Sequence, residues 1–152
     1  MSFIRLRGKT KLMHFKKGDT THSLRAGGVV RLDDSANLVP LLNDTSDFRA
    51  LGVCRQTVTI TDSSQLSIPV EVPVENGVEW LIDTDSDAGA SASDVGRYCA
   101  FDTATASDSE SARVDISDTT IRAVFITGIV SASKVRGILA KQAFGFGARD
   151  TA

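Results

Sequence analysis

The stretch SIPVEVPVENGVEWLID, residues 67–83, constrains the fold more than any other part of the chain. An apolar side chain stands at every second position on both sides of the Asn76-Gly77 pair. That period of two is typical of strands with one buried face. A single strand of this length would extend for about 56 Å at roughly 3.3 Å per residue, which is far longer than ordinary strands. The chain is therefore predicted to turn at Asn76-Gly77.

A three-residue loop at 75–77 makes this stretch a hairpin with one wholly apolar face. A two-residue turn would instead set glutamates opposite valines on the same face. The three-residue loop also places Gly77 at the third loop position, which needs a left-handed backbone. The cross-strand partners predicted from this register are Val74 with Val78, Val72 with Trp80, and Val70 with Ile82.

The two prolines of the stretch, Pro69 and Pro73, have the same parity. Their missing N–H groups therefore lie on the same side of the strand, away from the hairpin partner. This arrangement predicts an edge strand that is protected against further pairing.

Most of the remaining chain alternates short runs of Val, Ile, Leu and Thr with turn-forming segments such as LDDSAN and DSDAGASASD. Short strands at regular spacing are typical of β-sandwiches and barrels. We therefore predict an all-β fold, a small antiparallel β-barrel or sandwich with a basic, partly extended N-terminal arm. Residues 131–143 fit a helix or a strand. Gly137, which costs a helix about 1 kcal/mol relative to alanine, favours the strand.

The length of 152 residues suits one domain. We divide it into a basic N-terminal arm at 1–23, a β-domain at 24–142 and a Gly/Phe-containing C-terminal tail at 143–152. No apolar run reaches the roughly 20 residues that cross a bilayer, and the first residues lack the apolar core of a signal peptide. We therefore expect neither membrane insertion nor secretion by the usual route.

The net charge of −2 conceals a strong segregation of charge along the chain. Residues 1–31 carry eight Lys or Arg against one acid, residues 32–120 carry four against seventeen, and residues 121–152 carry five against one. Such a basic block is typical of a solvated face or a mobile arm, and equally of a surface that docks onto an acidic protein or a nucleic acid.

The N-terminal arm mixes basic and apolar residues. It is too apolar for a solubility tail and too short for a core of its own, so we expect it to become ordered on a partner. On this interpretation, deletion of residues 1–17 leaves a folded β-domain. The residues predicted to bind the partner are Phe3, Arg5, Arg7, Lys9, Lys11, Phe15, Lys16 and Lys17.

No catalytic motif stands out, so we expect neither enzymatic activity nor a cofactor. The serines fit no G-x-S-x-G or S-x-x-K pattern, and the surroundings of His14 and His22 offer no further zinc ligands. Cys54 and Cys99 lie in apolar surroundings and form no C-x-x-C. Burial as small hydrophobic residues is therefore expected for them in preference to a disulfide.

One acidic segment matches part of a calcium-binding loop. DTDSDAGASASD places Asp83, Asp85, Asp87 and Asp94 at loop positions 1, 3, 5 and 12. The sixth position, however, is Ala88 where the sharp turn wants glycine, and no helices flank the segment. An exposed acidic loop between strands explains the same residues and is the favoured interpretation.

Five stretches of the chain together resemble the small head decoration proteins, or capsid cement proteins, of tailed bacteriophages. They lie within residues 24–140 and are LRAGGVVRLDDSANLVPL, FRALGVCRQ, the alternation that ends in NGVEWLI, DVGRYCAFD, and IRAVFITGIVSASKVRGIL. The likeness lies in the strand rhythm and in the placing of small residues. It implies a compact β-domain that binds the major capsid protein on the outer surface of the virion, as a trimer or dimer and without enzymatic activity.

Two other classes of function stay open alongside this resemblance. The first is a nucleic-acid-binding β-barrel that uses the basic arm, although Phe3 and Phe15 are the only aromatic residues there and stacking platforms need more. The second is a calcium- or carbohydrate-binding module that uses the acidic loop. Carbohydrate sites generally expose aromatic rings, whereas Trp80 falls on the buried face of the predicted hairpin.

Overall fold

The computed structural model describes residues 3–17, 23–33, 35–41, 50–58, 67–84, 89–101, 113–119 and 122–140. Within these residues the chain is nearly all strand, which confirms the predicted all-β class. One 3-10 helical turn occupies Ala92–Asp94. The strands are β1 (Phe3–Arg7), β2 (Thr10–Phe15), β3 (Val29–Leu32), β4 (Leu38–Pro40), β5 (Gly52–Cys54), β6 (Ile68–Pro73), β7 (Glu79–Thr84), β8 (Tyr98–Phe101), β9 (Arg113–Asp115), β10 (Val124–Ser131) and β11 (Lys134–Leu139).

Five of the strands close into a small β-barrel. They belong to a six-stranded sheet with the order β1-β7-β11-β10-β8-β9, and β9 also pairs with β7. This last pairing is parallel and joins Asp83 to Arg113 and Thr84 to Val114. The closed ring is therefore β7, β11, β10, β8 and β9, while β1 adds to β7 at its other residues.

A second sheet has the order β2-β6-β5-β3-β4, with every pairing antiparallel. A backbone hydrogen bond from the Leu38 N–H to the Lys16 carbonyl, 2.9 Å long, ties the start of β4 to the chain that follows β2. The strands at the two ends of the strand order are thus linked.

The buried apolar residues form two clusters. The core of the barrel is built from both sheets, because Val29 of β3 and Val53 of β5 join the barrel residues around Trp80 and Phe101. The core of the second sheet contains Leu24, Val30, Leu38, Leu51, Cys54, Val58, Ile68, Val70 and Val72, with Met13, Phe15 and Leu32 packed against it.

The predicted hairpin between β6 and β7 is wrong. The two strands lie in different sheets, where β6 pairs with β2 and β5 and β7 pairs with β1 and β11. The turn itself and the buried parity were predicted correctly, since Gly77 has φ +71 and both Val72 and Trp80 are buried. Val74 is exposed instead of pairing with Val78. The alternation of side chains identifies which face of a strand is buried, but it does not identify the strand with which it pairs. The apolar faces of β6 and β7 are both buried, although the two strands do not pair with each other.

The proline-containing strand β6 lies inside its sheet, so the prediction of an edge strand is also wrong. The Pro69 carbonyl accepts a 3.0 Å hydrogen bond from the Arg55 N–H, which places this edge of β6 on the side of β5. The register of β5 against β6 joins only Val53 to Glu71 and Cys54 to Val70. Because β5 is so short, neither proline stands opposite one of its residues, and the missing N–H groups break no pairing with β5.

The segment interpreted as an arm supplies two strands of the fold. β1 pairs with β7 of the barrel sheet, and β2 pairs with β6 of the second sheet. Phe3 is fully buried, with T-shaped contacts to Trp80 and Phe101 at 6.4 Å between ring centroids. The interpretation of an arm that becomes ordered only on a partner is therefore corrected for residues 3–17, because their apolar side chains already have a core to enter.

The β1–β7 and β2–β6 strand pairs meet at a corner, where both chain segments pass from one sheet to the other. At this corner the Val74 N–H donates to the Lys9 carbonyl at 3.0 Å, and the Lys9 N–H donates to Glu75 Oε1 at 2.7 Å. Gly8 has φ +98, and a Cβ atom there would lie 2.9 Å from Val78 Cα. Glycine is required because both the backbone angle and the close approach exclude a side chain.

The structure also bears on the C-terminal strand, the cysteines and membrane insertion. Residues 131 and 134–139 are strand, as favoured, while 141–143 and the tail at 143–152 lie outside the described residues. Cys54 and Cys99 are both buried and no disulfide joins them, which confirms that prediction. None of the described segments forms a helix with the length and apolar character that spanning a bilayer requires.

The burial of Phe3 predicts a large stability difference between adjacent substitutions. Phe3→Ala is expected to lower the free energy of unfolding by about 3–5 kcal/mol, because it empties a fully buried aromatic site. Ile4→Ala, at a neighbouring side chain that is exposed, should cost about 0.5 kcal/mol or less. Urea unfolding of the two variants measures the difference. Equal costs would show that β1 does not enter the barrel core.

The close approach of Gly8 to Val78 predicts that alanine is tolerated less well at Gly8 than at Gly77. Gly8→Ala should destabilise the protein by at least about 2 kcal/mol, since it combines a left-handed backbone with a clash against Val78. Gly77→Ala shares the positive φ but has no atom within 4 Å of the added Cβ, so backbone strain alone should cost it about 1 kcal/mol. Thermal or urea unfolding measures both. A smaller cost at Gly8 than at Gly77 would contradict the close approach.

Candidate docking surface along the N-terminal strands

Three of the eight residues predicted to bind a partner are turned into the protein. Phe3 is part of the barrel core, and Lys17 is almost fully buried. Phe15 is half-buried and packs against the core of the second sheet. These three side chains stabilise the fold in this structure and do not form an outer surface.

The other five predicted residues are exposed and lie along β1, the corner and β2. They are Arg5, Arg7, Lys9, Lys11 and Lys16.

Large apolar side chains are exposed on the same two strands. Ile4 and Leu6 of β1 are 44% and 45% exposed, and Leu12 of β2 is 55% exposed. β1 and β2 each stand at one end of the strand order of their sheets. We call this set the N-terminal surface, consisting of Ile4, Leu6, Arg7, Lys9, Lys11, Leu12 and Lys16.

Arg5 belongs to an ion-pair cluster that joins the two sheets. Its Nε lies 2.9 Å from Glu71 Oε2, and Thr10 Oγ1 donates to the same oxygen at 2.8 Å. Arg55 donates to Glu71 Oε1 through Nε at 2.8 Å and through a second guanidinium nitrogen. Its remaining nitrogen donates to the Phe3 carbonyl at 2.9 Å, while the guanidinium lies 5.9 Å from the Trp80 ring centroid.

This cluster fixes the ionisation of Glu71. Burial opposes the charged form, but the hydrogen bonds from Arg55 and Thr10, together with the charges of Arg55 and Arg5, outweigh it and hold the pKa of Glu71 below its usual value. Glu71 is therefore an ionised link between β1, β6 and Arg55, the residue that follows β5, and Arg5 is committed to it.

Arg7 is also partly neutralised within the protein. Its Nε lies 3.4 Å from Oε1 of the buried Glu79, whose other oxygen accepts a 2.6 Å hydrogen bond from Thr127. The side-chain ammonium groups of Lys9, Lys11 and Lys16, by contrast, form no ion pair with an acid that the structure describes. The charge available to a partner therefore resides mainly on the three lysines.

The aspartates of the calcium-like segment are partly committed to other roles. Asp83 Oδ1 forms an ion pair with Lys134 Nζ at 2.5 Å. Asp94 accepts a 2.9 Å hydrogen bond from the Ser91 N–H, which caps the 3-10 turn. Asp85 and Asp87 lie outside the described residues. Within the described part of the chain, no three His, Cys, Asp or Glu side chains cluster as a metal site would require.

A shallow groove beside the start of β8 was not predicted from the sequence. It is lined by Gly96, Arg97, Tyr98, Thr119 and Arg122 and has a volume of about 410 Å³. The Arg122 guanidinium lies 5.2 Å from the Tyr98 ring centroid. The only signal in the sequence is an arginine beside an aromatic residue in GRYC, and nothing there shows that Arg122 lies next to it.

The Cys54 thiol is buried and hydrogen-bonded. Cys54 donates from Sγ to the Gln56 carbonyl at 3.1 Å. Burial raises the pKa of its thiol, against weaker opposing effects of backbone hydrogen bonds and the Arg55 charge. A raised pKa disfavours the thiolate that nucleophilic chemistry needs.

The Glu71 cluster predicts a pH-dependent contribution to stability. Because the folded-state pKa is lowered, the contribution is complete above the ordinary value of 4.5 and is lost as the pH falls through the folded-state value. Glu71→Gln should cost about 2 kcal/mol at pH 7, and the difference from wild type should shrink below pH 4.5. Urea unfolding between pH 7 and pH 3 measures it.

Glu75→Gln is the matched control for this prediction. It removes the same charge from the neighbouring corner but does not touch Arg55, and its amide oxygen can still accept from the Lys9 N–H. A difference between Glu71→Gln and wild type that stays constant with pH would contradict the ionised cluster.

Comparisons with known proteins identified no relative of this chain. No family model, no curated protein and no solved structure matches the chain.

Proposed function

We propose that this protein is a structural, non-enzymatic protein of a phage virion that binds the outer surface of the capsid and stabilises it. Its partner is the major capsid protein, and it acts as a trimer or dimer. The observation that carries the proposal is the N-terminal surface, where exposed leucines stand among lysines whose ammonium groups form no ion pair in the described structure. The sequence resemblance to head decoration proteins supplies the identity of the partner.

The apolar part of the N-terminal surface supports a protein partner. Ile4, Leu6 and Leu12 expose apolar area on two strands at the ends of their sheet orders. β1 stands at the end of its strand order, and an outer strand presents backbone groups that can pair with a strand of another chain. Burial of the three side chains would stabilise a complex and slow its dissociation.

The lysines of the N-terminal surface support an acidic partner surface. Lys9, Lys11 and Lys16 are exposed point charges on flexible stems, which suits long-range attraction better than rigid docking. Exposed charges are screened over about 8 Å at physiological salt, so these lysines act mainly on the rate of encounter.

Nucleic acid fits this surface less well than protein does. Phe3 and Phe15, the aromatic residues of these strands, are turned into the two cores and offer no platform for base stacking. The middle of the chain, residues 32–120, carries seventeen acids against four bases and repels a long polyanion.

Co-sedimentation with assembled capsids tests the proposal. Leu12→Ser is expected to weaken retention on shells about tenfold, as the loss of a buried leucine anchor should. Val130→Ser is the matched control, because Val130 is also 55% exposed but lies on β10. It should bind like the wild type.

A second arm of the same experiment uses charge. Replacing Lys9 and Lys11 by glutamine should reduce the salt dependence of binding more than it reduces retention at high salt. Failure of the wild-type protein to bind shells, or equal losses in Leu12→Ser and Val130→Ser, would overturn the proposal. Preference of the intact protein for DNA over shells would do the same.

A further inference from the structure

The groove beside β8 shares no residue with the N-terminal surface and has a different chemistry. Arg97 and Tyr98 come from the start of β8, Thr119 follows β9, and Arg122 precedes β10. Strand pairing brings these elements together, since β10 pairs with β8 and β8 with β9. The groove is thus held by the closed barrel.

Two arginines supply the positive charge of the groove. Arg122 is exposed, and no described acid pairs with it. Arg97 is 59% exposed at its side chain and has Asp94 Oδ1 at 3.9 Å, near the outer limit of an ion pair. Guanidinium groups in this state retain donors for an incoming oxyanion.

Aromatic contacts hold one of these arginines in place. The Arg122 guanidinium lies over the Tyr98 ring, and Tyr98 in turn makes a T-shaped contact with Phe125 at 5.1 Å between centroids. Phe125 stands opposite Tyr98 in the β10–β8 register. This stack orients Arg122 before a ligand arrives, which lowers the conformational entropy lost on binding.

We infer that this groove binds a carboxylate side chain presented by a protein partner. Arg97 and Arg122 each donate to the carboxylate, the Thr119 hydroxyl offers a further donor, and the half-buried ring of Phe125 lies next to Tyr98 for an apolar neighbour of the acidic residue. The inference does not depend on the shell-binding proposal, because it uses no residue of the N-terminal surface.

The surroundings favour a peptide carboxylate over nucleic acid. Tyr98 already has Arg122 over one side of its ring and Phe125 against it, so it is not the open platform that base stacking needs. Asp94 and Asp115 lie on the neighbouring elements, and they repel a chain of phosphates more than a single carboxylate.

Nuclear magnetic resonance titration of the intact protein tests the inference. The probe is the blocked peptide acetyl-Gly-Leu-Glu-Leu-Gly-amide, and its glutamine analogue is the control ligand. The glutamate peptide should shift the Nε–Hε signal of Arg122 and the backbone amides of Gly96 and Thr119 in a saturable way. The glutamine peptide should shift them little.

Matched arginine variants complete the test. Arg122→Gln should weaken binding of the glutamate peptide about tenfold, the usual cost of a charge-assisted hydrogen bond. Arg136→Gln removes an exposed arginine from β11 and should leave binding unchanged. Because both side chains are exposed, both variants should keep the wild-type spectrum elsewhere.

Four results would overturn the inference. The first is the absence of saturable shifts with the glutamate peptide up to about 10 mM, a concentration at which even weak ion-pair binding is detected. The second is equal shifts with the glutamine peptide, and the third is an equal loss of binding in Arg122→Gln and Arg136→Gln. The fourth is tighter binding of octathymidylate at the same arginines. The last would assign the groove to nucleic acid.

Discussion

The antiparallel pairing of residues 3–15 with residues 68–82 is the interaction on which both halves of this protein depend. β1 and β7 form one end of this long strand pair in the barrel sheet, and β2 and β6 form the other end in the second sheet. The pair bends once, where Gly8 lies against Val78. The same two chain segments therefore supply strands to both sheets, so neither sheet is formed by a segment of its own.

The basic character of the first residues has two physical meanings in the folded protein. The arginines turn towards carboxylates of the fold, with Arg5 at Glu71 and Arg7 at Glu79, and they contribute to the joint between the strands. The lysines Lys9, Lys11 and Lys16 stay exposed. This division agrees with the chemistry of the two side chains, since the planar guanidinium suits fixed, multidentate contacts and the ammonium group suits mobile, solvated ones.

Local patterns in the sequence predicted the elements of this fold better than their partners. The alternation around Trp80 correctly identified the buried faces of β6 and β7, and Gly77 the turn between them, because parity and positive φ are local properties. Which strands pair is a global property, and here the corner carries the chain into another sheet. The N-terminal strands were missed for the same reason, because the core that receives Phe3 is built from residues that follow it at distances from 26 positions (Val29) to 136 positions (Leu139).

The candidate sites, too, depend on contacts between distant residues that local sequence patterns do not predict. Exposure of five basic residues and of Leu12 agrees with the surface expected from composition, whereas burial of Phe3 and Lys17 depends on packing that composition does not record. The groove at Arg97 and Arg122 arises from strand pairing across residues that are 25 positions apart in the sequence, and only the folded barrel brings them together. Arg55 is a similar case, since four contacts from one side chain join three strands.

The division of strands between the sheets also sets an order in which they can be completed during synthesis. All five strands of the second sheet come from residues 10–73, so its backbone partners are present once β6 has left the ribosome. The barrel instead closes through the β7–β9 contact and needs β10 and β11, the last described strands. The site of Phe3, the first described residue, is therefore enclosed only after β11 has been synthesised. Pairings so distant in sequence are slow to form, so the barrel half is expected to set the folding rate.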